Sequence, residues 1–364
     1  TLYSISNLYG VSVLDIVRNN PYLLDSQLYS GANLVIKYQD EKKDGYKLKV
    51  NGYAYPYIDR NVLRESLLYL SELSIFSYGF TTQGALVPTD DEELIVIARE
   101  FGVSPTLVLT PLDENGKFNS YLVTVITSDK EVQKTLINNL LTTVKAKGYN
   151  SVNVDFEYIS PEDKDSYTNF VSELTRVMNS NGYSVSVALA PKSSSDQPGL
   201  LYEGIDYKSL GESANSVLVM TYEWGYTYGP PMAVAPIDQV IKVINYATQQ
   251  IPSKKVDMGI PNYGYDWPLP YVRGTTEAEV VGNVEALEIA LKNNVRIEFD
   301  RASMSPYFYY SKDGISHVVW FEDARSLESK FNVVNTFNLR GIGYWNLMKP
   351  FRTNWLLLNY LFDI

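Results

Sequence analysis

The sequence contains no cysteine, which excludes disulfides, thiolate metal sites and a cysteine nucleophile. It contains one histidine, His317, which excludes a histidine-based zinc cluster and argues against a Ser-His-Asp triad. His317 stands in the β-type run His317-Val318-Val319-Trp320, so a hydrogen-bonded sheet residue is its expected role. No apolar run reaches the roughly 18 residues that a membrane-spanning helix needs, so no membrane span is expected. No glycine-rich phosphate loop follows any strand-like run. Neither a metal nor a cofactor is therefore expected. A formal net charge of −11 over 364 residues argues against nucleic acid as the main partner, because phosphate repels carboxylate. It leaves a glycan open.

What the chain does have is ordinary globular material and many aromatic rings. A hydrophobic fraction of 45% and a charged fraction of 20% allow a sizeable core. Thirty tyrosines and five tryptophans suit either core packing or stacking on the apolar faces of sugars, and composition does not choose between them.

Along the chain, residues 1–38 read as a unit of their own. A short helix ends at a glycine C-cap, Gly10. A second helix covers Ser12 to Asn19 and stops near Pro21, and a strand covers Ala32 to Ile36. Residues 39–47 are charged and aperiodic and read as a linker. From Leu48 on, strand-like runs alternate with helical ones. The expected strands are 48–53, 73–79, 105–111, 151–157, 184–190, 216–222, 256–262 and 340–346. Continuous apolar runs such as Thr106-Leu107-Val108-Leu109 suit parallel strands covered on both faces. Ser160 followed by Pro161, and Thr89 with Glu92 as a capping box, mark two helix starts. A final helix is expected from Asn354 to Phe362. Eight β/α units over residues 48–364 predict a (β/α)8 barrel, with a doubly wound sheet as the alternative. The seventh gap is too long for one helix. It holds a helix from Glu279 to Lys292 and a hairpin signal at Lys312-Asp313-Gly314, which predicts a small α+β insertion over about 266–330.

The chemistry concentrates in Ser151-Val152-Asn153-Val154-Asp155-Phe156-Glu157-Tyr158. Strand side chains alternate, so Asn153, Asp155 and Glu157 share one face, while Val152, Val154, Phe156 and Tyr158 share the other. In isolation this is an amphipathic strand with a wet face. In a parallel barrel neither face meets water, so inward polar groups must be paired or used. They climb toward the C-terminal end of the strand, where barrel active sites sit. The pattern predicts a buried carboxylate pair with perturbed pKa values, a candidate acid–base site.

The run Asn150 to Glu157 resembles the fourth-strand signature D-G-x-D-x-D-x-E of glycoside hydrolase family 18, the chitinase-like family. Asp155 and Glu157 keep its last two acids, and Asn150 and Asn153 replace the earlier ones. Met220-Thr221-Tyr222-Glu223 resembles the sixth-strand M-x-Y-D motif, and Gly343-Tyr344-Trp345 resembles the eighth-strand motif. Three runs are similar to the spore-cortex-lytic N-acetylglucosaminidase branch of that family: Tyr222 to Pro231, Gly259 to Trp267, and Val319 to Ser326. Thr1-Leu2-Tyr3-Ser4-Ile5, Tyr9-Gly10-Val11 and Asn33-Leu34-Val35-Ile36 are similar to a LysM, a peptidoglycan-binding module whose usual first strand would lie upstream of Thr1.

The resemblance implies a hydrolase of N-acetylglucosamine-containing glycan, acting outside the cell at the wall or spore. It implies substrate-assisted catalysis, in which the 2-acetamido oxygen of the sugar is the nucleophile. Glu157 would be the acid, Asp155 would orient the acetamido group, Tyr222 would donate to its oxygen, and Trp345 would floor the sugar site. Asn153, Glu223, Asn262 and Tyr55 would be further glycan contacts. With Asn153 in place of an acid, Asp155 is expected to stay ionised more readily. The third strand reads Leu109-Thr110-Pro111-Leu112 where chitinases carry S-x-G-G, which favours peptidoglycan over chitin. A chitinase, an N-glycan hydrolase and a non-catalytic wall lectin remain as alternatives. Retention of Glu157 speaks against the lectin.

Overall fold

The expected strands close into a ring. The computed structural model describes residues 1–38 and 47–364. Its barrel strands are β1 (Lys49–Ala54), β2 (Glu72–Phe80), β3 (Ser104–Leu109), β4 (Ser151–Val154), β5 (Ser184–Leu189), β6 (Ser216–Val219), β7 (Val256–Pro261) and β8 (Gly341–Trp345). Each pairs in parallel with the next, and β8 pairs with β1. This is the closed (β/α)8 barrel. Val152, Val154, Val185, Val187, Val217 and Val219 are buried on the outer face beneath the helices. The sheet is thus covered on both sides, which explains its continuous apolar runs.

Inside, the register sets Val108, Asn153 and Ser186 side by side on β3, β4 and β5. The Tyr53 hydroxyl donates to Asn153 Oδ1 at 3.0 Å, and Asn153 Nδ2 donates to Ser186 Oγ at 2.9 Å. These bonds tie β1, β4 and β5 together across the interior. In β2 the register slips between Ile75 and Tyr78, a bulge beside Phe76.

Several strands are shorter than expected at their C-terminal ends. β4 stops at Val154, although Asp155 N still donates to Leu109 O at 2.9 Å. Side-chain alternation nevertheless continues to Glu157. Phe156 points outward and packs its ring against Phe80, Tyr167 and Phe170. It ends at Tyr158, which was expected on the outer face. Tyr158 instead has φ 55 and is half exposed.

Between β7 and β8 lies a five-stranded antiparallel sheet. In spatial order its strands are Glu279–Val281, Gly264–Pro268, Ile315–Trp320, Ser305–Lys312 and Glu298–Asp300. The earliest of them in the chain begins at Gly264, two residues before the expected start at 266. Residues 279–281, expected as helix, form a strand, and the helix is Asn283–Lys292. Glu285 accepts from Gly282 N at 3.1 Å and so fixes that later start. The hairpin turns at Asp313 and Gly314, both at positive φ. His317 is a satisfied sheet residue: its Nδ1 lies 2.9 Å from Asp266 Oδ1, and Tyr310 donates to the other oxygen of that carboxylate.

The N-terminal residues form helices Leu2–Tyr9, capped at Gly10, and Val13–Asn19. The strand expected at 32–36 is absent. Its place as a pairing partner is taken by the Asn20 side chain, which accepts from Val35 N at 2.9 Å and donates to Val35 O at 2.8 Å. This segment packs on the end of the barrel where the strands begin. Ile16 is fully buried, Arg18 Nε donates to Leu68 O at 2.6 Å, and Asn359 Nδ2 donates to Asn19 Oδ1 at 2.7 Å. Of the expected linker at 39–47, residues 39–46 lie outside the described residues. Lys47 forms a parallel bridge with Asp363.

The expected Thr89–Glu92 capping box is not formed. The helix Glu92–Glu100 follows Asp91, whose carboxylate makes no cap. Fully buried, it accepts instead from the hydroxyls of Tyr78 and Tyr149 and pairs with Lys147 Nζ. Asp91→Ala would leave two phenols and an ammonium without their shared acceptor. It should cost about 3–5 kcal/mol of stability. Urea denaturation checks this, with specific activity of the folded fraction unchanged.

Candidate active site

At the C-terminal ends of the barrel strands lies a cleft of about 610 Å³. The segment that follows β4 contributes Asp155 and Glu157, β6 leads to Tyr222 and Glu223, and β8 ends in Trp345. Tyr53 from β1, Phe76 from the β2 bulge and Thr110 after β3 complete that part of the wall. A larger hollow of about 1010 Å³ lies away from the strand ends, lined by Arg296, Phe299, Arg301 and Arg325. Its carboxylates, Glu298 and Glu328, are exposed. The chemistry therefore belongs to the smaller cleft, where Asp155 and Glu157 are shielded.

Asp155 is 7% exposed, and its Oδ1 is buried with no hydrogen-bond partner. Burial, and then repulsion from Glu157, push its pKa upward. Glu157 is half-buried, and burial followed by the nearby Glu223 carboxylate push its pKa upward as well. Burial thus works against the ionised form of Asp155, which Asn153 in place of an acid was expected to favour. Asn153 does remove a competing acid, but its amide bonds to Tyr53 and Ser186 and makes no bond to Asp155. Two acids in one dry site favour a state that keeps at least one proton between them.

Tyr222 is buried, and its ring lies against Gly259, where a Cβ would come within 2.6 Å of Cε1. Burial, with further help from Tyr53 and the neighbouring acids, pushes its pKa well up, so the hydroxyl stays a donor. Trp345 packs edge-on against Phe76 at 5.0 Å, Tyr53 at 5.7 Å and Tyr55 at 6.1 Å between ring centroids. Tyr55 in turn stacks on the exposed Tyr57 at 5.3 Å, so an aromatic strip leads from the surface to Trp345. Glu223 sits at φ 68, an uncommon conformation for a side-chain-bearing residue. It keeps an exposed edge, yet the protein packed around its carboxylate pushes its pKa up, while hydrogen bonds from Tyr263 and Tyr265 oppose that shift.

Two expected glycan contacts are placed elsewhere. Asn262 is 3% exposed, and its Nδ2 donates to Asn346 O at 2.9 Å and Lys349 O at 2.8 Å. It holds the loop after Trp345 and does not line the cleft. Asn153 lies beneath the cleft, fully committed to its interior bonds. The sequence reading missed Tyr53, Phe76, Phe118, Tyr158, Tyr202 and Tyr226 in the wall. It also missed Tyr263 and Tyr265 as the clamp on Glu223, although both stand in a quoted motif. Among the described residues, no group of three or more His, Cys, Asp or Glu could hold a metal ion, and no helix is long and apolar enough to cross a membrane.

Comparison with known proteins fits this geometry. The family model described as "Glycosyl hydrolases family 18" matches residues 115–349. The "Cortical fragment-lytic enzyme" of Bacillus subtilis is 40% identical over 302 residues, covering 83% of this chain and 70% of that protein. The crystal structure of the Bacillus cereus spore cortex-lytic enzyme SleL superposes with a TM-score of 0.84 at 36% identity, covering 99% of this chain and 84% of that one. A chitinase from Chromobacterium violaceum, at 23% identity and a TM-score of 0.80, shares the fold, covering 86% of this chain and 98% of that chain. The family match over most of the chain, together with relatives this similar along the barrel, places this protein in glycosyl hydrolases family 18 as a glycoside hydrolase.

Proposed function

We propose that the enzyme hydrolyses β-1,4 bonds after N-acetylglucosamine in peptidoglycan, with spore cortex as its substrate, by substrate-assisted catalysis that retains the β configuration. The observation that carries this reading is the buried, unpartnered Asp155 Oδ1 beside the acid Glu157. A buried acceptor without a donor is costly, and the acetamido N–H of a bound sugar is the donor it lacks. The names of the cortex-lytic relatives support the choice of glycan. The segment 1–38 is proposed as a LysM-like wall-binding unit, and the site of action as the wall or spore.

In this mechanism Glu157 gives its proton to the glycosidic oxygen as the bond to C1 breaks. The acetamido oxygen attacks C1 from the other face and forms an oxazolinium ion. Asp155 holds the acetamido N–H and offsets the positive charge, which favours its ionised form only once the sugar is bound. Tyr222 donates to the acetamido oxygen, and the sugar rests on Trp345. Water then opens the oxazolinium, giving its proton to Glu157, so the second inversion restores the β anomer. Glu223 is unsuited to be a protein nucleophile: its Oε1 accepts from both Tyr263 and Tyr265, and its Oε2 from Tyr265.

Digestion of purified cortex, with mass spectrometry of the fragments, should show N-acetylglucosamine at each new reducing end. Muramic acid there would sink the assignment. Glu157→Gln should keep the fold and glycan binding but lose about 10²–10⁴-fold or more in kcat. De-N-acetylated glycan should be nearly inert, and proton NMR should show the β anomer first. An initial α anomer, or equal rates on both glycans, would contradict acetamido participation. A raised pKa keeps an acid protonated further up the pH scale, so activity persists below it and is lost as pH climbs through it. The alkaline limb of kcat/KM should thus lie above the ordinary glutamate range near ~4.3. Glu223→Gln removes a negative charge that raises Glu157 and should move that limb toward acid. A pH–rate profile of the variant checks the direction.

A further inference from the structure

We propose that Lys192 is a positioning residue that sets glycan affinity by fixing the cleft wall that carries Leu201 and Tyr202. The proposal rests on the reading that this cleft binds an N-acetylglucosamine glycan. The segment 190–206, between β5 and the helix Tyr207–Ser213, contains no helix or strand, yet it supplies Pro191, Leu201 and Tyr202 to the cleft. Something other than secondary structure must hold it in shape. Lys192 is 3% exposed, and among the described residues no salt bridge reaches it. Its Nζ donates to Ser195 O at 3.2 Å, Tyr202 O at 3.1 Å and Ile205 O at 2.9 Å.

An ammonium has three donors, and here each meets a different carbonyl of the same segment. One carbonyl comes from its beginning and two from its end, so the ammonium cross-links the loop where other proteins would need a disulfide or a metal. The start is fixed separately. Lys192 N donates to the Tyr207 hydroxyl at 2.9 Å, which donates to Ala190 O at 2.6 Å. The end abuts the catalytic strand: at Gly204 a Cβ would lie 2.1 Å from Ile159 O, two residues beyond Glu157. The wall is therefore clamped between the acid's own segment and Lys192. A buried ammonium with no carboxylate in salt-bridge contact is costly, and Asp206, Asp196 and Glu203 favour its charge only from further away. What it secures is the fixed position of Tyr202, whose own carbonyl is one of the three acceptors.

The test is steady-state kinetics of the full chain on soluble glycan fragments, after wild-type activity and its loss in Glu157→Gln are established. Failure at that first step sinks the proposed function and is read separately. Lys192→Met keeps the length of the stem and removes the donors. It should raise KM about tenfold, equivalent to ~1.4 kcal/mol, with kcat held within about twofold. Tyr202→Ala should raise KM alike, and the double variant should be no worse than the worse single one, because both act through one contact. Lys192→Cys would introduce the chain's sole cysteine. Alkylated with bromoethylamine in denaturant and refolded, it regains an ammonium of nearly lysine geometry and should recover the wild-type KM. A fall in kcat at unchanged KM, additive effects in the double variant, or alkylation that restores thermal stability but not KM would overturn the proposal. Should Lys192→Met fail to fold, an unchanged KM in Tyr202→Ala overturns it equally.

Discussion

Holding Asp155 and Glu157 side by side, largely out of water, is the constraint on which the rest of the cleft depends. Left alone, either side chain would turn outward or draw in water. The residue between them prevents the first. Phe156 is locked outward in a cluster with Phe80, Tyr167 and Phe170, so its two neighbours are committed to the interior. The hydrogen-bonded chain of Tyr53, Asn153 and Ser186 limits the second from below, because these side chains bond to one another and not to Asp155. Retention of a proton is thus a product of packing: an apolar wedge on one side and a hydrogen-bonded polar layer on the other hold two carboxyl groups where their charged forms are disfavoured.

The two ends of the barrel treat buried acids in opposite ways. At the end where strands begin, Asp257 is pushed up by burial to about 7 while Arg340 pulls it back down. Arg340 also meets Glu72 at 2.8 Å, so that end is cross-linked by ion pairs and covered by the N-terminal segment. At the other end no cation approaches Asp155 or Glu157 as a salt-bridge partner among the described residues. The same residue type is structural where a guanidinium faces it and reactive where the cleft does, a division between stability face and active face common to such barrels.

The barrel was legible in the sequence because its signal is redundant. Several of the eight strand-like runs were continuously apolar and so reported strands covered on both sides, and errors of up to three residues at an end changed nothing in the order. The acid pair was legible for a related reason: alternation in Val152 to Glu157 conflicts with burial on both faces unless the polar positions are used. What escaped depends on local backbone geometry that periodicity does not encode. Phe76 enters the cleft through a bulge, Tyr158 through a positive φ, and Tyr202 through a loop organised by a lysine ammonium. Asn262 escaped in the opposite sense. Its place in a motif suggested contact with sugar, while its amide is spent on backbone carbonyls that no linear reading reveals. Asp91 shows the same limit, since a helix-start pattern conceals an acid whose partners lie 13, 56 and 58 residues away.

The substitution of Asn153 for an acid draws these strands together. An acid there would give Asp155 a neighbour with which to share a proton, and the free enzyme could settle its charge internally. Asn153 cannot take that part, because an amide carries no titratable proton, and its bonds run to Tyr53 and Ser186. The unsatisfied oxygen of Asp155 therefore has only the cleft to turn to, and burial together with the Glu157 charge favours a protonated Asp155 in the free enzyme. A ligand that brings an N–H to Asp155 stabilises its anion and leaves the proton to Glu157, the residue proposed to deliver it. Binding and activation of the acid then become one event, and a sugar lacking that N–H would occupy the cleft without setting the charge that the reaction requires.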